Sequence, residues 1–331
     1  MKILVTGGLG AVGSYLVPEL RSRGHDVFVS DSRHHHHPNY ARCDVSKFQQ
    51  VERLWLGGGW EHGYTKKPHK FDLVYHLAAE FGRWNGEDYY ENLWATNAIG
   101  TKNVLRMQER EGFRAVYFSS SEVYGDYDGV MTEDVMDKFE IRQMNDYAIS
   151  KWVNEMQVLN SASMKGTESV RVRLFNTYGP GEYYSKYRSV ICLFTYRALH
   201  GMPFTVYRGH TRTSTYISDM ARTLANITDR FKPGEVYNIG GLDYHDVKTA
   251  SDLVLKYTGA DESLITYKEA EPHTTAHKKV DCSKAVRDLD HKALIGLDQG
   301  IRETVEWMRA TYNVGKPAMM PAPNPRKLQR V

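Results

Sequence analysis

A glycine-rich turn near the amino terminus constrains the fold more than any other feature of this sequence. Residues 2–5 form a strand-like run, Thr6-Gly-Gly-Leu-Gly-Ala-Val-Gly13 follows, and a helical pattern begins directly after it. Gly7 and Gly10 permit a tight turn and a close approach of backbone to a ligand, and Gly13 lets the helix pack on the strand. Because a helix N-terminus favours negative charge, the turn predicts a phosphate-binding unit.

Asp31 ends the second predicted strand, residues 26–30, about 20 residues beyond the glycines. This order predicts a dinucleotide site in which the carboxylate accepts hydrogen bonds from the adenosine ribose. The carboxylate would repel a 2′-phosphate, which favours NAD, whereas Arg33 could accommodate that phosphate and leaves NADP as the alternative. Asp44 is interpreted either as a contact to the adenine or as the N-cap of a helix that starts at Val45. The expected cofactor residues here are Gly7, Gly10, Ala11, Val12, Gly13, Asp31, Ser32, Arg33, Asp44 and Val45.

Strands and helices keep alternating through the first half of the chain. Further strands are predicted at 71–79, 115–118 and 170–174, and helices at 91–108 and from Tyr147 onward. This order predicts right-handed crossovers and an α/β fold with a doubly wound parallel sheet of the Rossmann type. Ligands bind beyond the carboxyl ends of such strands. The residues expected there are Leu77, Ala78, Ala79, Glu80, Ser119, Ser120, Ser121, Glu122 and Asn176.

The pattern loosens after Pro180, and a chain of 331 residues is long enough for two coupled domains. The prediction is a cofactor-binding domain from 1–178 plus about 212–241, a smaller discontinuous α/β substrate-binding lobe from 179–211 and 242–314, a loop at 57–70, and a fraying tail at 315–331.

Charge and hydropathy exclude two classes of partner. The net charge is +3 and the basic residues are scattered, which argues against a nucleic-acid surface. No apolar run is long enough to span a bilayer, and a strand follows Met1 without room for a signal peptide, so we expect a cytoplasmic protein without membrane contact. Three cysteines without pairing or metal-ligand spacing fit a reducing cytoplasm. The histidine run at 34–37 has no adjacent carboxylate or cysteine, which favours a solvated loop over a metal site.

Tyr147-Ala-Ile-Ser-Lys151 places a phenol and an ammonium four residues apart in a helix-forming stretch. Positions i and i+4 share one face of a helix, so both groups can point into one cavity. A cation beside a phenol lowers its pKa, which predicts that Tyr147 is an acid/base near neutral pH. The same spacing occurs by chance on solvated helices, so the interpretation depends on the surrounding motifs.

Taken in order, the motifs resemble those of the extended short-chain dehydrogenase/reductases, specifically the NAD-dependent nucleotide-sugar epimerase/dehydratase family. The resemblance covers residues 1–312 and rests on Thr6-Gly-Gly-x-Gly-x-x-Gly13, Asp31, His76-Leu-Ala-Ala79, Asn97-Ala-Ile-Gly100, Ser119-Ser-Ser-Glu-Val-Tyr-Gly125, Tyr147-x-x-x-Lys151, Arg173-Leu-Phe-Asn-Thr-Tyr-Gly-Pro180 and Tyr237-Asn-Ile-Gly-Gly241. It implies NAD, a nucleoside-diphosphate sugar, and a homodimer built from helices at 91–108 and 147–161 with Trp94, Trp152 and Met156 as apolar contacts.

The resemblance also implies roles at the matching positions. Tyr147 would take the proton of a sugar hydroxyl as hydride passes to NAD, Lys151 would lower the tyrosine pKa and hold the nicotinamide ribose, and Ser120 would hydrogen-bond the same oxygen. A strand end capped by hydroxyls is the alternative for the serines. The remaining assignments are Asn97 and Ser119 to the cofactor, Asn176 and Arg212 to the diphosphate, and Glu80, Arg83 and Ser121 to the substrate.

Glu122 bears on the reaction type. The sugar dehydratases and decarboxylases of the family carry a segment that looks like Thr/Ser-Asp/Ser-Glu-Val-Tyr-Gly, which residues 120–125 match. Simple 4-epimerases of the family often carry a small hydroxyl or apolar residue at the position of Glu122. Oxidation acidifies the neighbouring C–H, and Glu122, sharing one face of an extended segment with Ser120, could remove that proton. A structural Glu122 paired with a cation is the alternative. The departures are Ser121, where familiar 4,6-dehydratases have aspartate, and Phe81-Gly-Arg-Trp84, where Arg83 and Trp84 could shape a different sugar or carboxylate pocket.

The leading prediction is an NAD-dependent enzyme that oxidises a nucleotide sugar to a keto intermediate, epimerises, dehydrates or decarboxylates it, and returns the hydride. The alternative is a net dehydrogenase or reductase of the same fold that exchanges NAD(H). A cofactor-sensing module without catalysis is a third class, and the presence of Tyr147, Lys151 and Ser120 speaks against it.

Overall fold

The protein is described by a computed structural model that covers residues 1–56 and 69–314. The predicted loop at 57–70 therefore lies largely outside the described residues, and the predicted tail lies wholly outside them. The strands within these ranges are β1 (Lys2–Thr6), β2 (Asp26–Asp31), β3 (Tyr40–Arg42), β4 (Leu73–His76), β5 (Arg114–Ser120), β6 (Val130–Met131), β7 (Ser169–Leu174), β8 (Thr177–Tyr178), β9 (Phe204–Tyr207), β10 (Thr211–Thr213), β11 (Thr215–Tyr216), β12 (Val236–Ile239), β13 (Tyr244–Asp246), β14 (Ile265–Lys268) and β15 (His277–Val280).

The helices alternate with the strands of the first half and then dominate the second. They are α1 (Ala11–Ser22), α2 (Phe48–Leu56), α3 (Arg83–Asp88), α4 (Tyr90–Trp94), α5 (Gly100–Glu111), α6 (Val135–Lys138), α7 (Asp146–Lys165), α8 (Val190–Leu199), α9 (Ile217–Asn226), α10 (Val247–Thr258), α11 (Ser283–Leu289) and α12 (Leu297–Thr311). Among the described residues, no helix is both long enough and apolar enough to cross a membrane.

A seven-stranded sheet in the order β12-β7-β5-β4-β1-β2-β3 forms the centre of the molecule, and its strand pairs are parallel. The chain runs outward from β1 through β2 to β3, then crosses to β4 and proceeds outward in the other direction. This reversal beside β1 makes the sheet doubly wound and leaves a crevice at the carboxyl ends of its strands. The prediction of an α/β fold with a parallel sheet of the Rossmann type is confirmed.

Alternation along the strands produces a core on each face of this sheet. Ile3 and Val5 of β1 are fully buried on the face covered by α1 and α9, whereas Leu4 is fully buried on the face covered by α2 and α5. A parallel sheet buried on both faces needs such continuous apolar strands, which is why the early strands were readable in the sequence.

The second half adds a smaller lobe with a separate core. Helices α8, α10 and α12 pack together with the two-stranded sheet β9–β14. A four-stranded sheet in the order β13-β10-β15-β6 connects this half to the segment after β5, because β6 comes from early in the chain and β15 from late. Late residues are thereby brought to the carboxyl edge of the main sheet.

Two local predictions differ from the structure. The predicted helix 91–108 is split into α4 and α5 by a π-helical turn, Ala95–Ile99, and such turns carry one extra residue that re-aims side chains. The predicted extended segment after β5 is a 3₁₀ turn, Ser121–Tyr124, because the Ser120 hydroxyl accepts a hydrogen bond from the Glu122 N–H and ends the strand.

Candidate active site

A cavity of about 880 Å³ opens at the carboxyl ends of β1, β2, β4, β5 and β7 and extends into the smaller lobe. Open α/β sheets bind ligands at this edge, and the volume is near the upper end of the range for ligand sites, roughly 300–1,000 Å³. Each residue that the sequence assigned to cofactor or substrate lies in its wall, with the exception of Asn97.

Bare backbone forms the floor of the cavity at the glycine turn. Gly7 has a φ of +68°, and a Cβ at this position would lie 2.6 Å from the Ala78 nitrogen. A Cβ on Gly13 would lie 2.4 Å from the carbonyl oxygen of Gly8. Both positions therefore require glycine. Helix α1 begins at Ala11 immediately behind the turn, so unencumbered backbone and a helix N-terminus meet where a pyrophosphate would bind.

Asp31 closes the adenosine end of the cavity. Its Oδ2 accepts a hydrogen bond from the Leu9 N–H at 3.1 Å, which ties the acid to the glycine turn. Its Oδ1 accepts hydrogen bonds from the backbone N–H and from Nε of Arg33, both at 3.1 Å. The guanidinium that could have received a 2′-phosphate is thus paired with the acid that repels one. Ser32, Asp44 and Val45 complete this part of the wall.

The histidine run beside Asp31 is exposed. His34 lies 2.8 Å from Nη1 of Arg42, and the rings of His35 and His37 are stacked at 6.3 Å. Across residues 1–56 and 69–314, no group of three or more His, Cys, Asp or Glu side chains is arranged to hold a metal ion.

Asn97 supports the cavity from behind. Its Oδ1 accepts a hydrogen bond from the Glu80 N–H at 2.8 Å, and its Nδ2 donates to the Glu80 carbonyl oxygen at 3.0 Å and to Ser150 Oγ at 3.1 Å. The side chain is fully buried and these bonds occupy both of its polar groups. The prediction that Asn97 contacts the cofactor is therefore corrected: the π-helical turn aims it at the backbone of Glu80.

Tyr147 and Lys151 lie in the first turns of α7, which begins where the side chain of Asn145 caps the Ala148 N–H at 2.8 Å. Both side chains are 5% exposed and line the cavity. The Lys151 nitrogen lies 5.8 Å from the centre of the Tyr147 ring and donates to the Phe118 carbonyl oxygen at 3.0 Å. The predicted shared face is therefore present, and Ser120 lines the same cavity.

The predicted direction of the tyrosine pKa is wrong for the protein without ligands. Burial raises the pKa of Tyr147 above its usual value, the hydrogen bond with Ser120 opposes that rise, and the charge of Glu122 adds to it. Burial also lowers the pKa of Lys151 to about 8. Desolvation is the first cause of both pKa shifts, because burial penalises the charged form of each group.

The hydroxyl of Ser119, a residue of the cavity wall, bonds a buried carboxylate. Its hydroxyl donates to Oε1 of Glu155 at 2.5 Å, and the same carboxylate pairs with Arg173 at 2.8 Å and Arg171 at 3.1 Å. All four side chains are buried. The serine hydroxyl is thus committed to a buried ion cluster beneath β5, and any contact of Ser119 with a cofactor is left to its backbone.

Glu122 meets Lys278, a residue that the sequence interpretation did not include. The carboxylate Oε1 accepts a hydrogen bond from the Lys278 ammonium, and Oε2 is buried without a partner among the described residues. Burial raises the pKa of Glu122, but Lys278, Arg83 and Arg212 outweigh it and hold that pKa below its usual value. Burial lowers the pKa of Lys278 to about 8 despite Glu122. The cavity therefore holds a second buried acid–base couple beside Tyr147.

Two further cations line the cavity, Arg212 from the smaller lobe and Arg83 from α3. Arg212 of β10 lines the cavity and donates from Nη1 to the carbonyl oxygens of Thr211 and Ala276, both at 2.8 Å. Asn176 has a φ of +36° and donates to the Thr213 carbonyl oxygen at 2.9 Å. Arg83 donates to Glu271. Ser121 and Glu80 also lie in the wall, as expected from the sequence.

With this geometry established, comparison with known proteins identifies the family. The sequence matches the NAD dependent epimerase/dehydratase family over residues 3–240. The chain belongs to this family.

Alignments with similar proteins extend over nearly the whole length of this epimerase/dehydratase family member. UDP-N-acetyl-alpha-D-glucosaminuronate decarboxylase of Bacillus cytotoxicus is 28% identical over 94% of this chain and 99% of its own length. The dTDP-glucose 4,6-dehydratase of Escherichia coli is 28% identical, covering 95% and 94%. The structure of MoeE5 in complex with UDP-glucuronic acid and NAD is 27% identical, with a TM-score of 0.81, covering 94% and 100%. UDP-glucose 4-epimerase of Thermotoga maritima with UDP-glucose is 26% identical, with a TM-score of 0.82 and the same coverage.

The residues of this family member fit NAD. Bare backbone at the glycine turn, the N-terminus of α1 and the acid Asp31 would hold its adenosine and pyrophosphate, and Tyr147 with Lys151 lie towards the other end of the same cavity. The family membership confirms the predicted cofactor.

Three residues that sequence interpretation missed complete this picture: Glu155, Lys278 and Glu271. Each acts through a partner distant in the sequence, and Glu122 and Lys278 are 156 positions apart. Glu155 gave a signal that could have been used, because it lies at i+4 from Lys151 in a helix and cannot be solvated on the same face. Lys278 and Glu271 have no local signal.

Proposed function

We propose that this chain transiently oxidises a hydroxyl-bearing carbon of a nucleotide-linked sugar, rearranges the neighbouring carbon, and reduces the ketone again before release. The observation that carries the proposal is the convergence of two acid–base pairs in one cavity, Tyr147 with Ser120 and Glu122 with Lys278. Bound NAD supplies hydride acceptance and hydride return. Relatives bind or act on nucleotide-linked uronic acids and neutral hexoses alike.

The first pair would handle the hydroxyl proton. Tyr147 is the general base for the sugar hydroxyl, and Ser120, which lines the same cavity, donates its single hydroxyl proton to the same substrate oxygen. The Lys151 ammonium, 5.8 Å from the ring centre, favours the phenolate that Tyr147 must form before it takes the proton, and so opposes the burial that raises the pKa of Tyr147. Burial of all three side chains excludes water and strengthens these interactions.

The second pair would act on the carbon next to the ketone. A carbonyl acidifies that C–H, and the ionised Glu122 carboxylate can remove the proton through Oε2, which has no partner among the described residues. Lys278, Arg83 and Arg212 keep Glu122 ionised by outweighing its burial. A dehydrogenase with net redox needs only the Tyr147 pair, so the presence of a second buried couple favours rearrangement.

A panel of UDP- and dTDP-linked sugars, with product masses as the readout, tests this function. Unchanged mass with altered stereochemistry, loss of water, or loss of carbon dioxide would each support it. A product that differs from the substrate only by a net change of two hydrogens, with stoichiometric NADH release, would establish the dehydrogenase instead.

Replacing Lys278 by methionine is expected to move the acid limb of the pH–rate profile to higher pH. Burial favours the protonated form of Glu122, and the lost cation no longer opposes it, so the pKa of Glu122 rises. The base is active only when ionised, and activity therefore falls earlier as the pH is lowered. Lys278→Arg retains the charge and should keep the acid limb near its original position. An unchanged limb in Lys278→Met would contradict the proposed role of Glu122.

We further propose a homodimer formed through the region of α4, α5 and α7. The exposed apolar side chains there include Ile99, Ile149, Met156 and Leu159, and isologous contact of two such helix pairs would bury them in a four-helix bundle. Light scattering should give twice the mass of one chain, and Met156→Glu should shift the mass towards one. A monomeric mass for the unaltered protein would refute this assembly.

A further inference from the structure

Arg83 has an unused binding capacity beside the reacting end of the cavity. It begins α3, and its side chain is 15% exposed. One nitrogen, Nη2, donates to Glu271, whereas Nε is buried without a partner in the described part of the chain. A buried guanidinium N–H without an acceptor is costly, which suggests that a ligand satisfies it.

The chain places this arginine next to Tyr147. The ring of Phe81, two residues earlier, lies 5.8 Å from the Tyr147 ring at 74°. Gly82 has a φ of +103°, and a Cβ there would lie 2.7 Å from the Tyr187 carbonyl oxygen, so the segment is fixed tightly against the lobe. Burial raises the pKa of Glu122, and the charges of Lys278 and then Arg83 lower it. Arg83 therefore faces the sugar end of the cavity.

The counter-ion of Arg83 comes from a different element. Glu271 lies in the segment between β14 and β15, is 18% exposed, and is anchored by its N–H, which donates to Nε2 of His210 at 3.0 Å. Three cations, Lys278, Arg83 and Arg212, lower the pKa of Glu122 by their charge, and two of them are engaged, since Lys278 bonds Glu122 and Arg212 donates to two carbonyl oxygens. Arg83 is thus the one of these three whose partner can be exchanged for a ligand.

We propose that the sugar bound here is a hexuronic acid, whose carboxylate binds Arg83 and displaces Glu271. The planar guanidinium matches a carboxylate through two parallel N–H donors, of which Nε is the one left without a partner. A neutral hexose offers only a hydroxyl group and would leave the buried Nε less well satisfied. This inference rests on the proposed function, since it specifies the sugar class of the same nucleotide-linked substrate.

Calorimetric titration with UDP-glucuronic acid and UDP-glucose tests this selectivity, with Tyr147→Phe as the common background so that the sugars bind without being oxidised. With Arg83 intact, this protein should bind the uronate at least about tenfold more tightly, and adding Arg83→Met should lose roughly 10- to 100-fold in uronate affinity with little change for UDP-glucose. Arg83→Lys should recover part of the loss, and Glu271→Gln should tighten uronate binding because it removes the internal competitor. Arg110→Met, at an exposed pair with Glu52, is the matched control and should leave both affinities unchanged.

A purely structural arginine gives a different pattern. Equal weakening of both ligands by Arg83→Met, or the absence of uronate preference with Arg83 intact, would overturn the inference. Conversion of UDP-glucose but not UDP-glucuronic acid in the product panel would also overturn it while leaving the proposed function intact. Uronate preference that depends on Arg83, together with a net dehydrogenase product, would instead remove the proposed function alone.

Discussion

Tyr147→Phe is expected to lower the rate of sugar oxidation by about 10³-fold while leaving nucleotide-sugar affinity nearly unchanged. The substitution removes a single hydroxyl that is buried and hydrogen-bonded to Ser120, and the ring keeps its packing against Phe81. Without the phenol, the substrate proton has no acceptor at this position. Single-turnover formation of reduced nicotinamide with the sugar identified in the panel measures the step directly.

Tyr257→Phe is the matched control for this variant. It also removes one tyrosine hydroxyl, but that hydroxyl donates to Asp298 at 2.6 Å on the surface and lies outside the cavity wall. The control should retain the original rate. If Tyr147→Phe kept more than about a tenth of the activity, well above the loss expected for a missing general base, the proton would have to leave through Glu122.

Glu155→Gln is expected to produce the largest loss of stability among the substitutions considered, about 3–5 kcal/mol. The carboxylate is 2% exposed and pairs with Arg171 and Arg173, which are themselves buried. Glutamine keeps the volume but leaves two buried guanidinium groups without a counter-charge. Urea-induced unfolding, followed by circular dichroism, measures the change in the free energy of unfolding.

The exposed pair of Arg114 and Glu168 supplies the comparison. Both side chains are about half exposed, so the free energy of unfolding of Glu168→Gln should be close to that of the unaltered protein. A triple variant, Glu155→Leu with Arg171→Met and Arg173→Met, should recover part of the stability, because replacing the whole buried ion cluster is less costly than breaking it. If Glu155→Gln unfolds like Glu168→Gln, the buried cluster is not a source of stability.

The elements that the sequence predicted well are those determined by local patterns. The β/α alternation from β1 to β7 is encoded in short apolar strands and in glycine at Gly7 and Gly13, where backbone contact excludes any side chain. Tyr147 and Lys151 share a helix, so their spacing alone places them on one face. Such features need no knowledge of distant contacts.

The residues that were missed depend on contacts between distant parts of the chain. Lys278 reaches Glu122 from β15, which lies between β10 and β6 in the four-stranded sheet, and Glu271 reaches Arg83 from the preceding segment. The role of Asn97 changed because of a π-helical turn, which amphipathic periodicity does not reveal. The pKa of Tyr147 was misjudged because the depth of burial, which dominates it, is a property of the folded chain.

The pairing of β6 with β15 has a consequence for biosynthesis. Every strand of the main sheet has been translated once β12 is complete. Lys278, which helps to keep Glu122 ionised, is translated later, in β15. A ribosome therefore synthesises the glycine turn and the strands of the dinucleotide cleft before the lysine to which we assign control of the second proton transfer. A polypeptide that stops short of β15 would carry the glycine turn, Tyr147 and Glu122 but not Lys278.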